Sequence, residues 1–221
     1  MSWDESDAMY EEGMSALYED FKYQFTNDFI INGIDKFYND NRDIVKPPIE
    51  NLNKSRALYN NEFITPAFLH AIISIEVGIK LVALKPILYS LAINYDAGDI
   101  LYENTFKQKS LQNIPSFYYD IFEKITGLDF KSIRATHSHI TVWNEWGELQ
   151  KIRNSVVHQG FFVEKKYSEI AINMATYICE EIIPSILDIF LLHTENGIIE
   201  KGSREYIIRR KQLGYSQSID T

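Results

Sequence analysis

Cysteine, glycine and proline are all scarce in this sequence. Because Cys179 is the only cysteine, the chain cannot form an internal disulfide, and only 10 glycines and 6 prolines interrupt its 221 residues. Large apolar residues are plentiful by comparison, with 14 tyrosines, 13 phenylalanines and a hydrophobic fraction of 45%. This composition excludes an intrinsically disordered chain and favours long helices with extensive aromatic packing.

Uninterrupted apolar runs are also missing. The first twenty residues are acidic and contain no apolar run, so we expect no signal peptide. The longest apolar stretch, AIISIEVGIKLVALKPIL, carries Glu76, Lys80 and Lys85, which indicates a buried helix rather than a membrane span. Together with the single cysteine, these absences predict a cytoplasmic protein.

Positive charge is in short supply as well. The chain has 22 lysines and arginines against 31 aspartates and glutamates, a formal net charge of −9. This balance argues against a protein that coats nucleic acid. The charge is unevenly distributed, however, because five cations fall within residues 201–211. An acidic chain of this kind can therefore still contain a local anion site.

Apolar residues recur at steps of three and four along most of the chain, which is the pattern of amphipathic helices. The pattern predicts an all-α fold without strands, an antiparallel four-helix bundle with a helical N-terminal extension. The bundle helices are expected at 66–92, 115–126, 138–158 and 166–193, and the extension helix at 14–38. The predicted domains are the extension (1–60), the bundle (61–198) and a charged C-terminal tail (199–221).

Capping residues define the expected ends of the bundle helices. Thr65 is placed to cap the first helix. Gly127 and Gly160 are expected to end the second and third helices, and Asn196-Gly197 the fourth.

Prolines and polar stretches indicate where the helices are interrupted. Pro86 and Pro184 fall inside the first and the last bundle helix, so each is expected to bend its helix. Residues 39–55, which include Pro47 and Pro48, and residues 93–113 are predicted to be polar connections without helix.

The stretch KIRNSVVHQG, residues 151–160, is unusual in this chain. Arg153, Asn154 and His158 occur within six positions near the end of the third helix. Asn154 and His158 share a helix face, whereas Arg153 must reach around the helix toward His158. One interpretation is a helix end that carries a cation, which the helix dipole favours. The other is a phosphate site, in which His158 acts as an acid and the Arg153 guanidinium contacts phosphate oxygens.

The spacing R-N-x-x-x-H, formed by Arg153, Asn154 and His158, resembles the signature of the HEPN superfamily, and the resemblance extends over about residues 64–195. In that family the motif lies near the end of the third helix of a four-helix bundle. The resemblance implies a metal-independent endoribonuclease that acts as a homodimer, in which two motif helices form one composite site. It also implies a toxin or an effector of antiphage defence, and an acidic residue in the first bundle helix, here Glu76.

The chemistry implied by the resemblance is an internal transfer. The 2′-hydroxyl of RNA attacks the adjacent phosphorus and the 5′-oxygen leaves, with His158 of each protomer as base or acid and Arg153 on the phosphate. Asn154 orients His158 or donates to the phosphate. Lys151 and Lys80 are candidate RNA-binding residues. No metal or other cofactor is expected.

Two questions about partners and activity stay open at this point. Besides RNA and a second copy of the chain, an antitoxin or a larger defence complex is a possible partner. The alternative function is a non-catalytic module of the same fold, which binds a nucleotide or a partner protein in a larger assembly.

Several other side chains each allow two interpretations. His137 and His139 are either surface residues or metal ligands. Glu76 either forms a helix pair with Lys80 or turns inward to hold Arg153 or His158.

The aromatic, thiol and basic features are equally open. Trp143 and Trp146 either pack in the core or stack on RNA bases or in a dimer interface. Cys179 is expected to be a small core residue. The segment 206–212, YIIRRKQ, is either a solvated tail or a contact for phosphates or for an acidic surface.

Overall fold

The computed structural model describes residues 13–14, 29–92, 94–107, 109–135 and 138–202. Helices dominate these ranges, which confirms a mostly helical fold. The helices are α1 (29–40), α2 (Lys46–Asn60), α3 (Ile64–Leu91), α4 (95–107), α5 (Ser116–Thr126), α6 (Val142–Gln159) and α7 (Lys165–Ile189). Two short strands follow, β1 (Leu192–Glu195) and β2 (Ile198–Lys201).

The four predicted bundle helices correspond to α3, α5, α6 and α7, and their starts follow local hydrogen bonding. Thr65 lies inside the first turn of α3, where its hydroxyl accepts a hydrogen bond from the Val163 amide at 3.0 Å, so it does not cap that helix. Thr141 caps α6, since its hydroxyl oxygen accepts from the Asn144 amide at 3.3 Å.

Glycines end α5 and α6 as predicted. Gly127 and Gly160 both have φ of 70°, the left-handed conformation that residues other than glycine adopt only with strain. In α6 the Gly160 amide donates to the Val156 carbonyl at 3.1 Å, which closes the last turn of the helix.

Both long helices change their winding just before a proline. In α3, residues Gly78–Leu84 form π-helical turns ahead of Pro86, and in α7 residues Ile178–Ile182 do so ahead of Pro184. A proline lacks the amide hydrogen needed to continue the α-helical ladder, and a wider turn accommodates that loss. The predicted irregularities at the two prolines thus take the form of π-helical turns.

The two predicted polar connections were wrong, because both contain helices. Pro47 and Pro48 occupy the first turn of α2, where a backbone amide needs no helical partner, so they begin a helix instead of breaking one. Asn94 caps α4, since its side-chain oxygen accepts from the Ala97 amide at 2.8 Å.

The prediction of a strand-free chain was also wrong. Helix α7 ends at Ile189, and β1 and β2 form an antiparallel hairpin in which Leu192 pairs with Lys201 and Glu195 with Ile198. Asn196 and Gly197, with φ of 52° and 74°, make the turn of this hairpin instead of ending a helix. Positive φ at both positions is the geometry of a tight two-residue turn that matches the twist of the strands.

Helix α3 packs against α2 in an antiparallel hairpin. Two buried serines join them: Ser55 of α2 donates to the Ala67 carbonyl at 2.6 Å, and Ser74 of α3 donates to the Pro48 carbonyl at 2.7 Å. An early residue of one helix therefore meets a late residue of the other.

Helix α3 also packs against α7, and these two helices run parallel, so the prediction of an antiparallel bundle was wrong for this pair. Ser168 donates to the Ile64 carbonyl at 3.3 Å near both N-termini, and Ser74 lies 3.3 Å from the Cys179 sulfur farther along. Helix α6 packs against the same pair. The hydrophobic core fills the space between these helices and places α6 beside α3.

Helix α1 belongs to the same core. Ile34, Phe37 and Tyr38 are buried, and the Tyr38 hydroxyl donates to the Val82 carbonyl in α3 at 2.6 Å. Phe29, at the start of α1, is 57% exposed. Most of the predicted extension helix before residue 29 lies outside the described residues. The domain boundaries at residues 60 and 198 stay predictions.

Two described helices, Ile64–Leu91 and Lys165–Ile189, are long and apolar enough to cross a membrane by length and composition. Their most apolar windows are 67% and 50% buried inside the protein. Core helices of a folded domain have the same properties, so this finding is weak evidence for a membrane span.

Candidate active site

The motif residues lie in the last three turns of α6. Arg153 is half-buried, Asn154 is exposed, and the Arg153 Nη1 donates to the Asn154 side-chain oxygen at 3.3 Å. This contact aligns the guanidinium with the neighbouring amide. A second acceptor, such as a phosphate oxygen, can still reach the remaining guanidinium hydrogens.

His158 is exposed in the final turn of α6, two residues before Gly160. Carbonyl groups at this end of the helix lack helical donors, so the local dipole favours a cation or a proton donor.

A cavity of about 650 Å³ opens beside Arg153 and Asn154. We call it the motif cavity. Three parts of the chain line it: α3, α6 and the chain from α4 to residue 113. The polar lining residues are Glu76, Lys80, Tyr102, Lys107, Lys109, Ser110, Gln112, Asn113, Gln150, Lys151, Arg153 and Asn154. Every predicted site residue except His158 therefore lines one cavity.

Glu76 and Lys80 form an ion pair in the motif cavity, with the lysine nitrogen 2.7 Å from Glu76 Oε1. The Lys80 side chain is only 8% exposed, and that of Glu76 is 24% exposed. Glu76 faces the same cavity as Arg153, and its ion pair is with Lys80, which is the helix-pair interpretation and not a contact with Arg153 or His158. The lysine has two further hydrogens that Glu76 does not use.

The remaining cations leave the motif cavity with a positive excess. Lys107 pairs with Glu103 at 2.8 Å. Among the described residues, no carboxylate lies within ion-pair distance of Lys109, Lys151 or Arg153. Three uncompensated cations around one cavity favour an anionic ligand, although the whole chain is acidic.

Neutral hydrogen-bonding groups fill the rest of the polar lining. The pKa of Tyr102 is raised to about 12, first by burial and then by Glu103 and Glu76, so this phenol stays protonated and can donate. Gln150 presents a buried amide nitrogen, Nε2, that has no hydrogen-bond partner. An unpaired buried donor is unfavourable by about 1–3 kcal/mol, and a turn of the side chain toward an acceptor in the cavity would relieve that cost.

Sequence reasoning missed Lys107, Lys109, Gln112 and Gln150. The first three were placed in a featureless connection, and their position depends on the packing of α4 and the chain after it. Gln150 had a usable signal, because it lies three residues before Arg153 and so on a neighbouring face of the same helix.

Trp146 and Cys179 pack in the core, and Trp143 is half-buried beside it. Trp146 is 1% exposed in the core, and Trp143 packs edge-on against Tyr119 with ring centroids 5.3 Å apart. Cys179 is buried, and burial raises the pKa of its thiol to about 11, which confirms a core role.

The structure describes only one of the two histidines that were considered as metal ligands. His139 is exposed, and His137 lies outside the described residues. The described part of the chain contains no group of three or more histidine, cysteine, aspartate or glutamate side chains that could hold a metal ion. The basic segment 206–212 also falls outside the described ranges.

Large apolar side chains are exposed near the end of α6. Val157 is 50% exposed, Phe161 60% and Phe162 92%. Ile73, which lines the motif cavity from α3, is 43% exposed. We call these four residues the motif-end apolar group. Exposed apolar side chains of this size are common where another protein surface binds.

Comparison of the chain with protein-family models, with curated proteins and with solved structures finds no match in any of the three.

Proposed function

We propose that this protein is a metal-independent endoribonuclease of the HEPN type, with a HEPN-like four-helix bundle as its framework. The observation that carries the proposal is the surroundings of Arg153 and Asn154. They form one wall of a cavity with a positive excess, in a chain whose formal net charge is −9, and His158 is exposed farther along the same helix.

The reaction uses groups that α6 and the RNA itself supply. The 2′-hydroxyl loses its proton to one His158 and attacks the phosphorus, and a second His158 protonates the departing 5′-oxygen. Arg153 contacts the non-bridging oxygens, where negative charge develops. RNA carries its own nucleophile, so the step needs no metal-activated water.

One base and one acid are needed at the same time, so the proposed site combines α6 from two chains. The motif-end apolar group supports this arrangement, because Val157, Phe161 and Phe162 surround the end of the motif and are exposed in a single chain. A symmetric dimer that buries them would bring the two motif helices together.

The test is cleavage by the purified protein in the presence of EDTA. We expect total RNA to be cut, and Arg153→Lys to be nearly as impaired as Arg153→Ala. A lysine keeps the charge but loses the two-pronged contact with phosphate oxygens. Loss of a donor of this kind lowers the rate by about 100-fold or more. RNA that stays intact under all conditions would contradict the proposal.

Such a nuclease must be restrained in its host cell, which makes a toxin or an antiphage effector the biological role that we propose. The protein would then act in the cytoplasm and have an antitoxin or a larger complex as its regulator. If no RNA is cut, the non-catalytic nucleotide-binding module becomes the better account, because the motif cavity does not depend on catalysis.

A further inference from the structure

We propose that the motif cavity is a subsite for one nucleotide of the RNA strand next to the scissile phosphate, and that Gln150 reads the edge of its base. The inference rests on the proposed function for the position of the cut. It adds a specificity-determining residue and a set of phosphate contacts that the R-N-x-x-x-H motif does not contain.

Uncompensated positive charge in the motif cavity supports the subsite. Lys109, Lys151 and Arg153 have no ion-pair partner among the described residues, and they enter the cavity from two different parts of the chain. A strand that crosses the cavity would have phosphates at both sides of it. Cations from two segments of the chain suit that path, whereas a single anion would need only one cluster.

The volume of the motif cavity also fits a nucleotide. A volume of about 650 Å³ lies well inside the usual range of about 300–1,000 Å³ for ligand pockets. The cavity is therefore large enough for a base and its sugar, and not only for a phosphate group. RNA-binding proteins recognise bases mainly where the strand is single and the base can leave the stack.

The unpaired amide of Gln150 supports recognition of a base in the cavity. Its Nε2 is buried without a partner, and the side chain also carries an acceptor oxygen. A glutamine amide matches a base edge that offers one acceptor and one donor side by side. Nε2 is enclosed in this conformation, so the proposed recognition includes a turn of the Gln150 side chain that brings the amide into the cavity and onto the base.

Gly147 supports the same assignment from the backbone of α6. A Cβ at this position would lie 2.7 Å from the Gln112 amide nitrogen, so the glycine lets a second cavity amide lie directly against the helix. An alanine at position 147 would push the Gln112 amide away from the helix.

The experiment uses the full-length protein with His158→Ala, so that bound RNA is not cut. Fluorescein-labelled hexamers of A, C, G and U are titrated and binding is followed by anisotropy. We expect one base to be preferred by roughly tenfold, as one good amide–base contact provides. Gln150→Leu should reduce that preference to less than about twofold. Gly147→Ala keeps Gln150 but displaces Gln112, so it should weaken binding of the preferred hexamer.

The phosphate contacts are tested with a matched pair of lysines. Lys109→Ala should weaken all four hexamers by a similar factor and reduce the salt dependence by about one charge. Lys54 on α2 is exposed and does not line the cavity, so Lys54→Ala should change neither quantity. Thermal unfolding of each variant identifies any that fail to fold, and the folded variants decide the question.

Three results would overturn the subsite. They are equal binding of all four hexamers, a preference that survives Gln150→Leu, and tighter binding of a free nucleoside monophosphate than of the matching hexamer. Failure of the nuclease proposal looks different: the parent protein would cut no RNA, while hexamer binding would still depend on Gln150.

Discussion

Arg153 and His158 lie on one helix in different surroundings. The arginine is half-buried at the edge of a polar cavity, whereas the histidine is exposed in the last turn. The chemistry assigned to each follows from this difference. In the proposed reaction, a phosphate in the cavity would contact the Arg153 guanidinium, and the exposed His158 would transfer a proton beside a second chain.

At the residue scale, replacement of His158 distinguishes a role in RNA cleavage from a role in folding. Because this side chain is exposed, His158→Ala should change the free energy of unfolding by no more than about 0.5 kcal/mol and abolish RNA cleavage. The exposed neighbour Gln159 provides a matched control, since Gln159→Ala should preserve both properties. Loss of the thermal transition in the histidine variant would show that His158 is a structural residue.

The ion pair between Glu76 and Lys80 gives a second prediction at this scale. Glu76→Ala leaves the buried Lys80 cation without its partner, which should destabilise the fold by about 2 kcal/mol. This is less than for a fully buried pair, because the Glu76 side chain is 24% exposed. Lys80→Met removes the charge instead and should cost little stability while weakening RNA binding. Denaturant titration compares the two variants, and a larger loss for Lys80→Met would contradict this account.

At the scale of elements, local sequence patterns predicted the four bundle helices but missed α2, α4 and the β-hairpin. Gly127 and Gly160 identified two helix ends because a left-handed residue after a helix is a local requirement. Pro47 and Pro48 misled the prediction, since a proline pair is compatible with both a helix start and a break. Asn196-Gly197 was likewise ambiguous between a helix end and a hairpin turn.

The same limit applies to the site. Arg153, Asn154 and His158 share one helix, so their spacing could be interpreted from the sequence alone. Lys109 and Gln112 reach the cavity only through packing of the chain after α4, which no local pattern contains. For the same reason, the sequence could not show whether Glu76 pairs with Lys80 or holds Arg153 or His158.

The end of α6 can be tested with two equivalent glycines. Gly160 and Gly127 each have φ of 70°, and each has open space where a Cβ would be placed. Alanine at either position should destabilise the protein by about 1 kcal/mol through backbone strain. Only Gly160→Ala should lower RNA cleavage, because only that helix end carries His158. Equal activity of the two variants would show that the end of α6 does not contribute to RNA cleavage.

At the scale of the whole molecule, the account requires two chains. Phe162 is 92% exposed and lies four residues after His158. Phe162→Asp should convert a dimer into a monomer and reduce cleavage, since a carboxylate in an apolar interface is strongly unfavourable. Ile100 on α4, 63% exposed, is the control, and Ile100→Asp should leave the assembly intact. Light scattering at micromolar concentration measures both variants, and a fully active monomeric parent would contradict the composite site.

The central claim is that the protein cuts RNA through the 2′-hydroxyl of the substrate. The most direct measurement maps the ends of a cleaved oligonucleotide in EDTA and then repeats the reaction with a single 2′-deoxy sugar at the mapped position. The account predicts a 2′,3′-cyclic phosphate and a 5′-hydroxyl in the first case, and no cleavage at that position in the second. Cleavage of the substituted strand, or a strict requirement for magnesium, would contradict it.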